Sequence, residues 1–343
     1  MRATRKDVAK RAGVSEASVS YVLNKSRSVS QATIKKVMDS VKELDYSVDM
    51  VARSMVKKET KQLAILANDL SNPYFSEIFL GFENAAIDSG YLVSICTGQR
   101  ELEKYISDLI ARRIDGVFIT ALPYMPYEKY CEIITKMVRK GVKVVISGHI
   151  LEEFEGISHI EPLYEMGIVQ TISYLKGLGH QDIAMISTLE KNNKIDARDQ
   201  IFFKTMDNYF ENSKKLYVTE AETHTPAMDK GYQLMQKLLC ESQDITAVLC
   251  FNDVMALGAI KAILDKGLRV PEDICVVGID NISFSAMFKP SLSSIGFDKV
   301  DYGKRAFFLL EKLIKTNESE NVLVPTSLIA RESTSQIKIN VKP

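Results

Sequence analysis

The stretch KDVAKRAGVSEASVSYVLN, residues 6–24, contains two short helical patterns with a glycine between them. The first pattern has apolar residues at helical spacing, namely Val8, Ala9 and Ala12. Gly13 interrupts this pattern, and Ser15 then offers a side-chain oxygen that can cap a new helix. The stretch therefore predicts two short helices that meet at a tight turn.

The second of these predicted helices has two different faces. Its apolar stripe consists of Val19, Val22 and Leu23. The opposite side of the helix carries a small and polar set: Glu16, Ala17, Ser20 and Tyr21. Such an outward face must meet something other than the protein core.

A third helical pattern follows Ser30, which is placed to cap it. Its apolar residues recur at spacings of three and four, at Ile34, Val37, Val41 and Leu44. Residues 1–60 hold 13 Lys and Arg against 7 Asp and Glu, a net charge of +6 in a chain whose overall net charge is zero. These features favour a helix-turn-helix head whose second helix lies in the major groove of DNA. The alternative is an ordinary helical hairpin with no role on DNA.

The run KDVAKRAGVS at residues 6–15, followed by SVSYVLN at residues 18–24, resembles the signature of the lactose/galactose repressor family of bacterial transcriptional regulators. The resemblance implies that residues 1–46 form a DNA-binding head of the helix-turn-helix type. The partner expected for this head is double-stranded DNA, in the form of a palindromic operator.

The resemblance also implies roles for single residues of the head. Glu16, Ala17 and Tyr21 lie where the family reads bases. The residues expected at the DNA backbone or at helix caps carry hydroxyl or amide groups: Thr4, Ser15, Ser20 and Asn24. Tyr21 replaces the arginine or histidine that is common in the family, and a phenol cannot make the bidentate contact to guanine that an arginine favours.

Residues 47–60 contain a short pattern with one apolar face, formed by Val48, Val51, Ala52 and Met55. A helix of about two turns is marginal alone in water, so this segment needs a partner. It resembles the family's hinge helix, which pairs with its copy in the dimer and inserts an apolar side chain into the minor groove. The resemblance gives this role to Met55, with Val51 and Ala52 beside it on DNA; dimer packing alone is the alternative for Met55. Val48 replaces the proline that usually starts the hinge helix.

From residue 61 the chain alternates β-rich runs with amphipathic helical segments. The first series of predicted strands lies at 63–67, 92–96, 116–120 and 142–147, with helices at 75–89, 101–113 and 128–140. The second series of strands lies at 183–187, 216–219, 247–251 and 274–279, with helices at 165–178, 197–212, 228–240 and 254–266. The alternation predicts an α/β body of two doubly wound lobes, each with a buried parallel sheet, and a ligand cleft outside the carboxyl ends of the strands.

The body at residues 61–343 also resembles the family's core, which is similar to periplasmic sugar-binding proteins. The strongest markers are LGH at 178–180, FNDVMALG at 251–258, and VPEDI at 270–274 leading into VGID at 277–280. By this resemblance the chain passes between the lobes near 161, 292 and 325. We therefore expect an N-lobe of residues 61–161 and 293–324, and a C-lobe of residues 162–291 and 326–343.

The same resemblance supplies candidates for binding a small-molecule effector. They are Tyr74, Phe75, Arg198, Asn252, Asp280 and Phe297. The rings of Tyr74 or Phe75 can stack on a sugar face, while the polar candidates can bond hydroxyls or an anionic group. For Asn252 and Asp280 the alternative is capping of the helix or loop that follows. Phe297 takes a place where the family often has glutamine, which favours an effector less polar than a simple sugar.

The chain lacks the motifs of several enzyme classes. It has no GxxxxGK[ST] phosphate loop, no GxGxxG after a strand, no GxSxG elbow and no HExxH pair. Its histidines and cysteines are scattered, which indicates no metal site, no cofactor and no disulfide framework. The basic N-terminus lacks the apolar run of a signal peptide, and no stretch is long and apolar enough to span a membrane, which favours a cytoplasmic protein with no membrane partner.

These observations predict a regulator rather than an enzyme. The expected protein is a homodimer without a C-terminal coiled coil, whose operator affinity changes when an effector, a sugar or related metabolite, binds in the cleft. Repression is favoured over activation because members of this family are usually repressors. One alternative is a regulator controlled by a protein partner that docks on the body. Another is a sugar-modifying enzyme with an appended head.

Overall fold

A computed structural model of the chain describes residues 3–24, 27–47, 59–67, 70–97, 102–120, 127–148, 155–188, 196–210, 216–220 (backbone), 227–242 and 244–334. The chain divides into two compact units, Met1–Lys61 and Gln62–Pro343. The hinge predictions for Val48, Val51, Ala52 and Met55 lie outside the described residues.

Within the described residues, the first unit consists of three helices, α1 (Arg5–Ala12), α2 (Glu16–Asn24) and α3 (Gln31–Glu43). Helix α1 begins at Thr4, whose side chain accepts a hydrogen bond from the Asp7 amide while the Asp7 carboxylate accepts one from the Thr4 amide. Gly13 ends α1 in the left-handed conformation, with φ of 65°. Ser15 and Ser30 accept hydrogen bonds from backbone amides of the first turns of α2 and α3. The small core contains Val8, Ala9, Ala12, Val19 and Val37. The predicted helix-turn-helix is thus confirmed.

The second unit alternates strands and helices. In chain order its elements are β1 (Gln62–Leu66), α4 (Pro73–Asp88), β2 (Leu92–Cys96), α5 (Leu102–Ala111), β3 (Gly116–Ile119), α6 (Tyr127–Arg139), β4 (Lys143–Ser147), β5 (Ile157–Leu163), α7 (Tyr164–Gly177), β6 (Ile183–Thr188), α8 (Ala197–Tyr209), β7 (Leu216–Glu220), α9 (Met228–Glu241), β8 (Ala247–Cys250), α10 (Asp253–Asp265), β9 (Cys275–Ile279), a 3₁₀ helix (Ser283–Ala286), β10 (Ser293–Gly296), α11 (Lys299–Thr316), β11 (Asn321–Pro325) and β12 (Ser327–Ile329).

The strands form two sheets, one in each lobe. The first sheet has the order β11-β5-β4-β3-β1-β2 and is parallel throughout. The second has the order β12-β10-β9-β8-β6-β7 and is parallel except for β12, which runs antiparallel to β10. Every strand predicted from the sequence is present. The two-lobed α/β body with parallel sheets is confirmed.

Strand β2 differs from the prediction of a buried strand. It lies at the edge of the first sheet, and Leu92 and Ile95 are exposed. An edge strand has a neighbour on one side only, and its apolar composition does not by itself tell a covered strand from an open one.

The chain passes between the lobes between β5 and α7, between β10 and α11, and again between β11 and β12. The expected boundary near 292, which assigned residues 293–296 to the first lobe, is wrong by one strand. Strand β10 pairs with β9 in the second sheet, and its Ile295 is buried in the core of the second lobe. The passage therefore follows Gly296, after which α11 packs into the first lobe.

Helices α4 and α11 approach each other closely because glycines lie at their contact. A Cβ atom added to Gly81 would lie 1.9 Å from the carbonyl oxygen of Val300. A Cβ atom on Gly303 would lie 1.9 Å from the carbonyl oxygen of Ile78. Both obstacles are backbone atoms, so only a shift of a whole helix could make room. This packing fixes α4 and α11 relative to each other in the first lobe.

Replacement of Gly303 by alanine is expected to lower the free energy of unfolding by about 1–3 kcal/mol, because the added methyl group forces α4 and α11 apart. Gly177 in α7 is the matched control, since a Cβ atom there would meet no atom within 4 Å. Gly177→Ala should leave stability unchanged or raise it by about 0.5–1 kcal/mol. Urea denaturation followed by circular dichroism measures both, and equal effects would contradict the close packing.

Candidate functional site

The reading face of the head lies on α2. Glu16 and Ala17 are exposed, and Tyr21 is half-buried. Two basic side chains lie beside this face: Arg5 Nε is 3.6 Å from Glu16 Oε2, and the Arg27 guanidinium lies 4.9 Å from the centre of the Tyr21 ring. Sequence analysis did not single out either arginine, because neither belongs to the periodic pattern of α2. The head therefore presents a phenol and a carboxylate, each beside a cation that is suited to phosphate.

The hydroxyl and amide candidates of the head make local hydrogen bonds. Thr4 and Ser15 cap α1 and α2. Asn24 Nδ2 donates to Ser20 Oγ, one turn earlier, at 3.1 Å. Thr4 and Ser15 thus cap helices, whereas the Ser20–Asn24 hydrogen bond lies within α2. Their contacts with DNA remain a prediction.

The effector candidates lie where strands of the two sheets end and the next element begins. From the first lobe, Tyr74 and Phe75 open α4; the Tyr74 amide donates to Asn72 Oδ1 at 3.0 Å. From the second lobe, Arg198 opens α8, and Asn252 and Asp280 follow β8 and β9. This is the position at which doubly wound sheets bind ligands.

Aromatic rings line the first-lobe side of the cleft. The centre of the Tyr74 ring lies 5.2 Å from that of Phe75 and 6.2 Å from that of Phe297. Phe297 in turn lies 5.0 Å from Tyr302 of α11. The structure thus brings Tyr74, Phe75 and Phe297 together, and their role in binding an effector remains a prediction.

Tyr164, at the start of α7, connects this aromatic cluster to the polar candidates. Its hydroxyl interacts with that of Tyr74, and its ring lies 5.3 Å from the guanidinium of Arg198. Burial raises the pKa of Tyr74 well above its usual value, and the nearby Tyr164, Tyr302 and Asp280 add to that rise. Tyr74 is therefore an uncharged phenol at neutral pH, able to donate or accept a hydrogen bond.

Arg198 is held by groups of its own lobe. Its Nε and Nη2 donate to the Asp196 carboxylate at 2.9 and 3.2 Å, and Nη1 donates to the Phe251 carbonyl at 3.3 Å. Its guanidinium also lies 3.6 Å from the centre of the Phe251 ring. Burial alone would lower the pKa of Arg198, but the charge and hydrogen bonds of Asp196 raise it, so the arginine stays charged.

Asn252 caps α10, as the alternative interpretation proposed. Its side-chain oxygen accepts a hydrogen bond from the Met255 amide at 2.9 Å, and the residue is buried. This contact commits the amide oxygen to the helix. The effector role of Asn252 remains a prediction that concerns its amide nitrogen.

Asp280 has the most unusual environment among the candidates. Its backbone has φ of 112°, a conformation that side chains rarely adopt, and its amide donates to the Ile295 carbonyl at 2.7 Å. The residue is 5% exposed, yet no side-chain hydrogen bond of its carboxylate is found within the described residues. Burial raises the pKa of Asp280 well above its usual value, and the nearby Asp253 raises it further, while Arg198 and Lys299 act in the opposite direction.

Lys299 joins the two lobes beside Asp280. It begins α11 of the first lobe, is 3% exposed, and donates to the carbonyl oxygens of Asp280 and Asn281 at 2.9 and 2.6 Å. Its Nζ also lies 3.2 Å from Oε2 of Glu77 in α4, whose Oε1 accepts from the Ser283 amide at 3.0 Å. We call this set, Glu77, Lys299, Asp280, Asn281 and Ser283, the interlobe seam.

Asp253 holds the second-lobe part of the interlobe seam in place. Its carboxylate accepts hydrogen bonds from the Ile282 amide at 2.8 Å and from the hydroxyls of Ser285 and Ser294, each at 2.5 Å. Burial raises the pKa of Asp253 to about 6, although these hydrogen bonds act to lower it. One buried carboxylate thus connects the loop after β9, the 3₁₀ helix and β10.

Sequence analysis did not single out several of these residues: Glu77, Tyr164, Asp196, Asp253 and Lys299. Asp253 lies inside the quoted FNDVMALG marker, and Asp196 precedes Arg198 by two positions, so the sequence did place two of the acids beside candidates. Nothing local in the sequence signals the contacts that Lys299 makes with two other elements.

Two features are absent from the part of the chain that the structure describes. No helix has the length and apolarity needed to cross a membrane. No group of three or more His, Cys, Asp or Glu side chains is arranged to hold a metal ion.

A helix-turn-helix head with a two-lobed body defines a DNA-binding transcriptional regulator. The family described as "Bacterial regulatory proteins, lacI family" matches residues 4–49, and the "Periplasmic binding protein-like domain" matches residues 172–334. The "HTH-type transcriptional repressor PurR" of Pectobacterium carotovorum subsp. carotovorum is 35% identical over 339 residues, which cover 96% of each chain.

Two solved structures are also similar along nearly the whole chain. A lac repressor dimer bound to operator and the anti-inducer ONPF has a TM-score of 0.82 at 27% identity, covering 98% of this chain and 100% of that one. A complex of the transcriptional regulator CelR with cellobiose has a TM-score of 0.70 at 26% identity, covering 97% and 100%. The chain belongs to the LacI family. It is a DNA-binding transcriptional repressor of that family, and not an enzyme.

Replacement of Lys299 by methionine is expected to lower the free energy of unfolding of the body by about 3 kcal/mol, because Glu77 is left half-buried without its cation. The matched control is Lys312→Met, which removes an ion pair with Glu320 at the surface of the same helix. Denaturant unfolding compares the two variants. A loss no larger for Lys299→Met than for Lys312→Met would contradict the importance of the interlobe seam.

Proposed function

We propose that this repressor is a homodimer that binds a palindromic operator, and that a small molecule bound between its lobes sets its operator affinity. The observation that carries the proposal is Asp280, a buried carboxylate beside a cluster of aromatic rings. No hydrogen bond of its carboxyl oxygens is found within the described residues, so a ligand that enters the cleft could bond to them. The similar lac repressor and CelR structures, which are complexes with ONPF and with cellobiose, support this proposal.

An exposed apolar surface supports the homodimer. Leu80 and Ile87 lie on one face of α4 and are 51% and 59% exposed. Leu92 and Ile95 are exposed on β2, the edge strand of the first sheet next to α4. Apolar side chains grouped in this way are typical of an interface, and the similar lac repressor structure is of a dimer.

The proposed control follows from the positions of the cleft residues. Tyr74 belongs to the first lobe and Asp280 to the second, so a ligand that contacts both binds one arrangement of the lobes better than another. A ligand can shift an equilibrium only by such a difference in affinity. The interlobe seam limits the arrangements available, since Lys299 connects the same loop that carries Asp280 to the first lobe. In this proposal the hinge, with Met55 as its wedge, transmits the change to DNA.

Replacement of Tyr21 by alanine is expected to weaken specific binding by about 1–3 kcal/mol and to change non-specific binding far less, because the phenol contacts base edges. The operator would be selected from random duplexes with the wild-type chain. Fluorescence anisotropy would then measure affinity for the selected duplex and for a scrambled one. Tyr105→Ala, which removes an exposed tyrosine of the body, is the control. Equal losses on the two duplexes would contradict base reading by Tyr21.

Replacement of Asp280 by asparagine is expected to weaken effector binding about tenfold or more, because one of the two carboxyl oxygens proposed to bond the ligand becomes an amide NH2 group, and to leave operator affinity without effector unchanged. Asparagine has nearly the same shape as aspartate, so it is expected to keep the backbone conformation of this position. A thermal-shift screen of metabolites identifies binders, and calorimetry compares wild type, Asp280→Asn and the surface control Asp265→Asn. Unchanged affinity in Asp280→Asn would contradict the assignment of Asp280. If a docked protein changed operator affinity and no metabolite did so, the proposed control would be contradicted.

A further inference from the structure

Glu16 places a negative charge on the helix that is expected to lie against DNA. It belongs to the first turn of α2, and the N-terminal residues of a recognition helix are those that contact base edges. DNA phosphates lie on both sides of the major groove, so they repel a carboxylate that enters it. Such a carboxylate is tolerated when a base donates a hydrogen bond to it and a nearby cation balances its charge.

Arg5 of α1 supplies the cation. Its Nε lies 3.6 Å from Oε2 of Glu16, and the two side chains are 53% and 47% exposed. This distance is longer than a hydrogen bond, so the two charges attract each other while the oxygens of Glu16 keep their capacity to accept. Within the described residues, neither side chain makes a hydrogen bond. A guanidinium in this position is suited to a DNA phosphate, and the carboxylate beside it to a base.

The other acids of residues 1–46 are placed differently. Asp7 accepts from the Thr4 amide at the cap of α1, and Glu43 accepts from Nη2 of Arg11 at 2.5 Å. The remaining two lie in α3 and in the residues that follow it. In this part of the chain, as far as the structure describes it, only Glu16 combines a place on α2 with a neighbouring cation and uncommitted acceptor oxygens.

The chemistry of the major groove restricts the base that a carboxylate can read. Guanine presents two acceptors there, and thymine presents an acceptor and a methyl group, so neither suits Glu16. Adenine has an amino group, but the acceptor N7 lies next to it and repels a carboxylate. Cytosine presents its N4 amino group without an acceptor of the same base beside it. Cytosine is therefore the base that fits.

We propose that Glu16 selects a cytosine in each half-site of the operator by accepting a hydrogen bond from its N4 amino group, and that Arg5 is the positioning residue that balances this carboxylate and contacts a neighbouring phosphate. The inference rests on the proposed function and deepens it, because it names one base of the operator. Stabilisation of α2 is the other role open to an acid in a first turn, and it carries no base preference.

Selection from random duplexes with the full-length chain tests the choice of base. Wild type, Glu16→Gln and the control Asp39→Asn are compared; the control removes one negative charge from an exposed position of α3. Wild type and Asp39→Asn are expected to select cytosine at one position of each half-site. Glu16→Gln is expected to lose that preference and to favour adenine, because glutamine pairs with adenine N6 and N7. Cytosine retained by Glu16→Gln, or lost in Asp39→Asn as well, would overturn the proposal.

The contact is also tested on the wild-type chain alone, so the answer does not depend on the folding of a variant. Fluorescence anisotropy compares the selected duplex with one in which 2-pyrimidinone, which lacks the 4-amino group, replaces that cytosine. The control duplex carries 2-pyrimidinone at a cytosine that flanks the operator. We expect the first replacement to weaken binding about tenfold or more and the control to have little effect. Equal affinities for the three duplexes would overturn the proposal.

The role of Arg5 is tested by the ratio of affinities for the selected duplex and for one with thymine in place of the cytosine. Arg5→Ala is expected to lower this ratio about threefold, because the carboxylate loses its cation, and Arg5→Lys to keep most of it. Arg11→Ala, which removes another cation of α1, is the control. A ratio unchanged by Arg5→Ala, or lowered equally by Arg11→Ala, would overturn the role of Arg5.

The outcomes separate this inference from the proposed function. A selected operator in which Glu16 decides no base would overturn the inference and leave the proposed function standing. If wild type selected no sequence above the random background, the proposed function would fail and the inference with it.

Discussion

The structure depends on one buried lysine at the boundary between two lobes. Lys299 is 3% exposed, and its ammonium group is satisfied by the carbonyls of Asp280 and Asn281 and by the carboxylate of Glu77. A buried ammonium is tolerated only with such partners, and here they come from both lobes. The contact with Asp280 fixes the backbone of the residue whose side chain faces the cleft. The geometry of the candidate ligand site and the arrangement of the lobes therefore share one set of contacts.

The second lobe supplies a rigid support for this contact. Asp253 binds the loop after β9, the 3₁₀ helix and β10 through a single carboxylate. A Cβ atom on Gly278 would lie 2.1 Å from Oδ1 of Asp253, so glycine is needed to let β9 approach that carboxylate. On the other side of the cleft, α4 and α11 are held together at their glycines. A ligand between these two supported surfaces meets groups that are already in place, which lowers the cost of binding.

The sequence predicted the parts of the fold that local patterns determine. The head was predicted from Gly13 and the caps Ser15 and Ser30, and the strands from β-rich runs, because these signals lie within a few residues of the structure they specify. The passage at β10 was misplaced because its pairing with β9 and β12 is non-local. The cleft was predicted only in part for the same reason. The candidate role of Arg198 followed from the resemblance to the family. Its neutralisation by Asp196 depends on side-chain conformations that no spacing in the sequence reveals.

The central claim is that a cleft ligand and the operator control each other's binding. Linkage requires that a ligand which changes operator affinity by some factor have its own affinity changed by operator by the same factor. Calorimetry would measure the dissociation constant of a cleft ligand with the wild-type repressor alone and with the repressor saturated with operator. The account predicts a change of about 5- to 150-fold, equal to the change in operator affinity caused by that ligand. An identical dissociation constant in the two titrations would contradict the account.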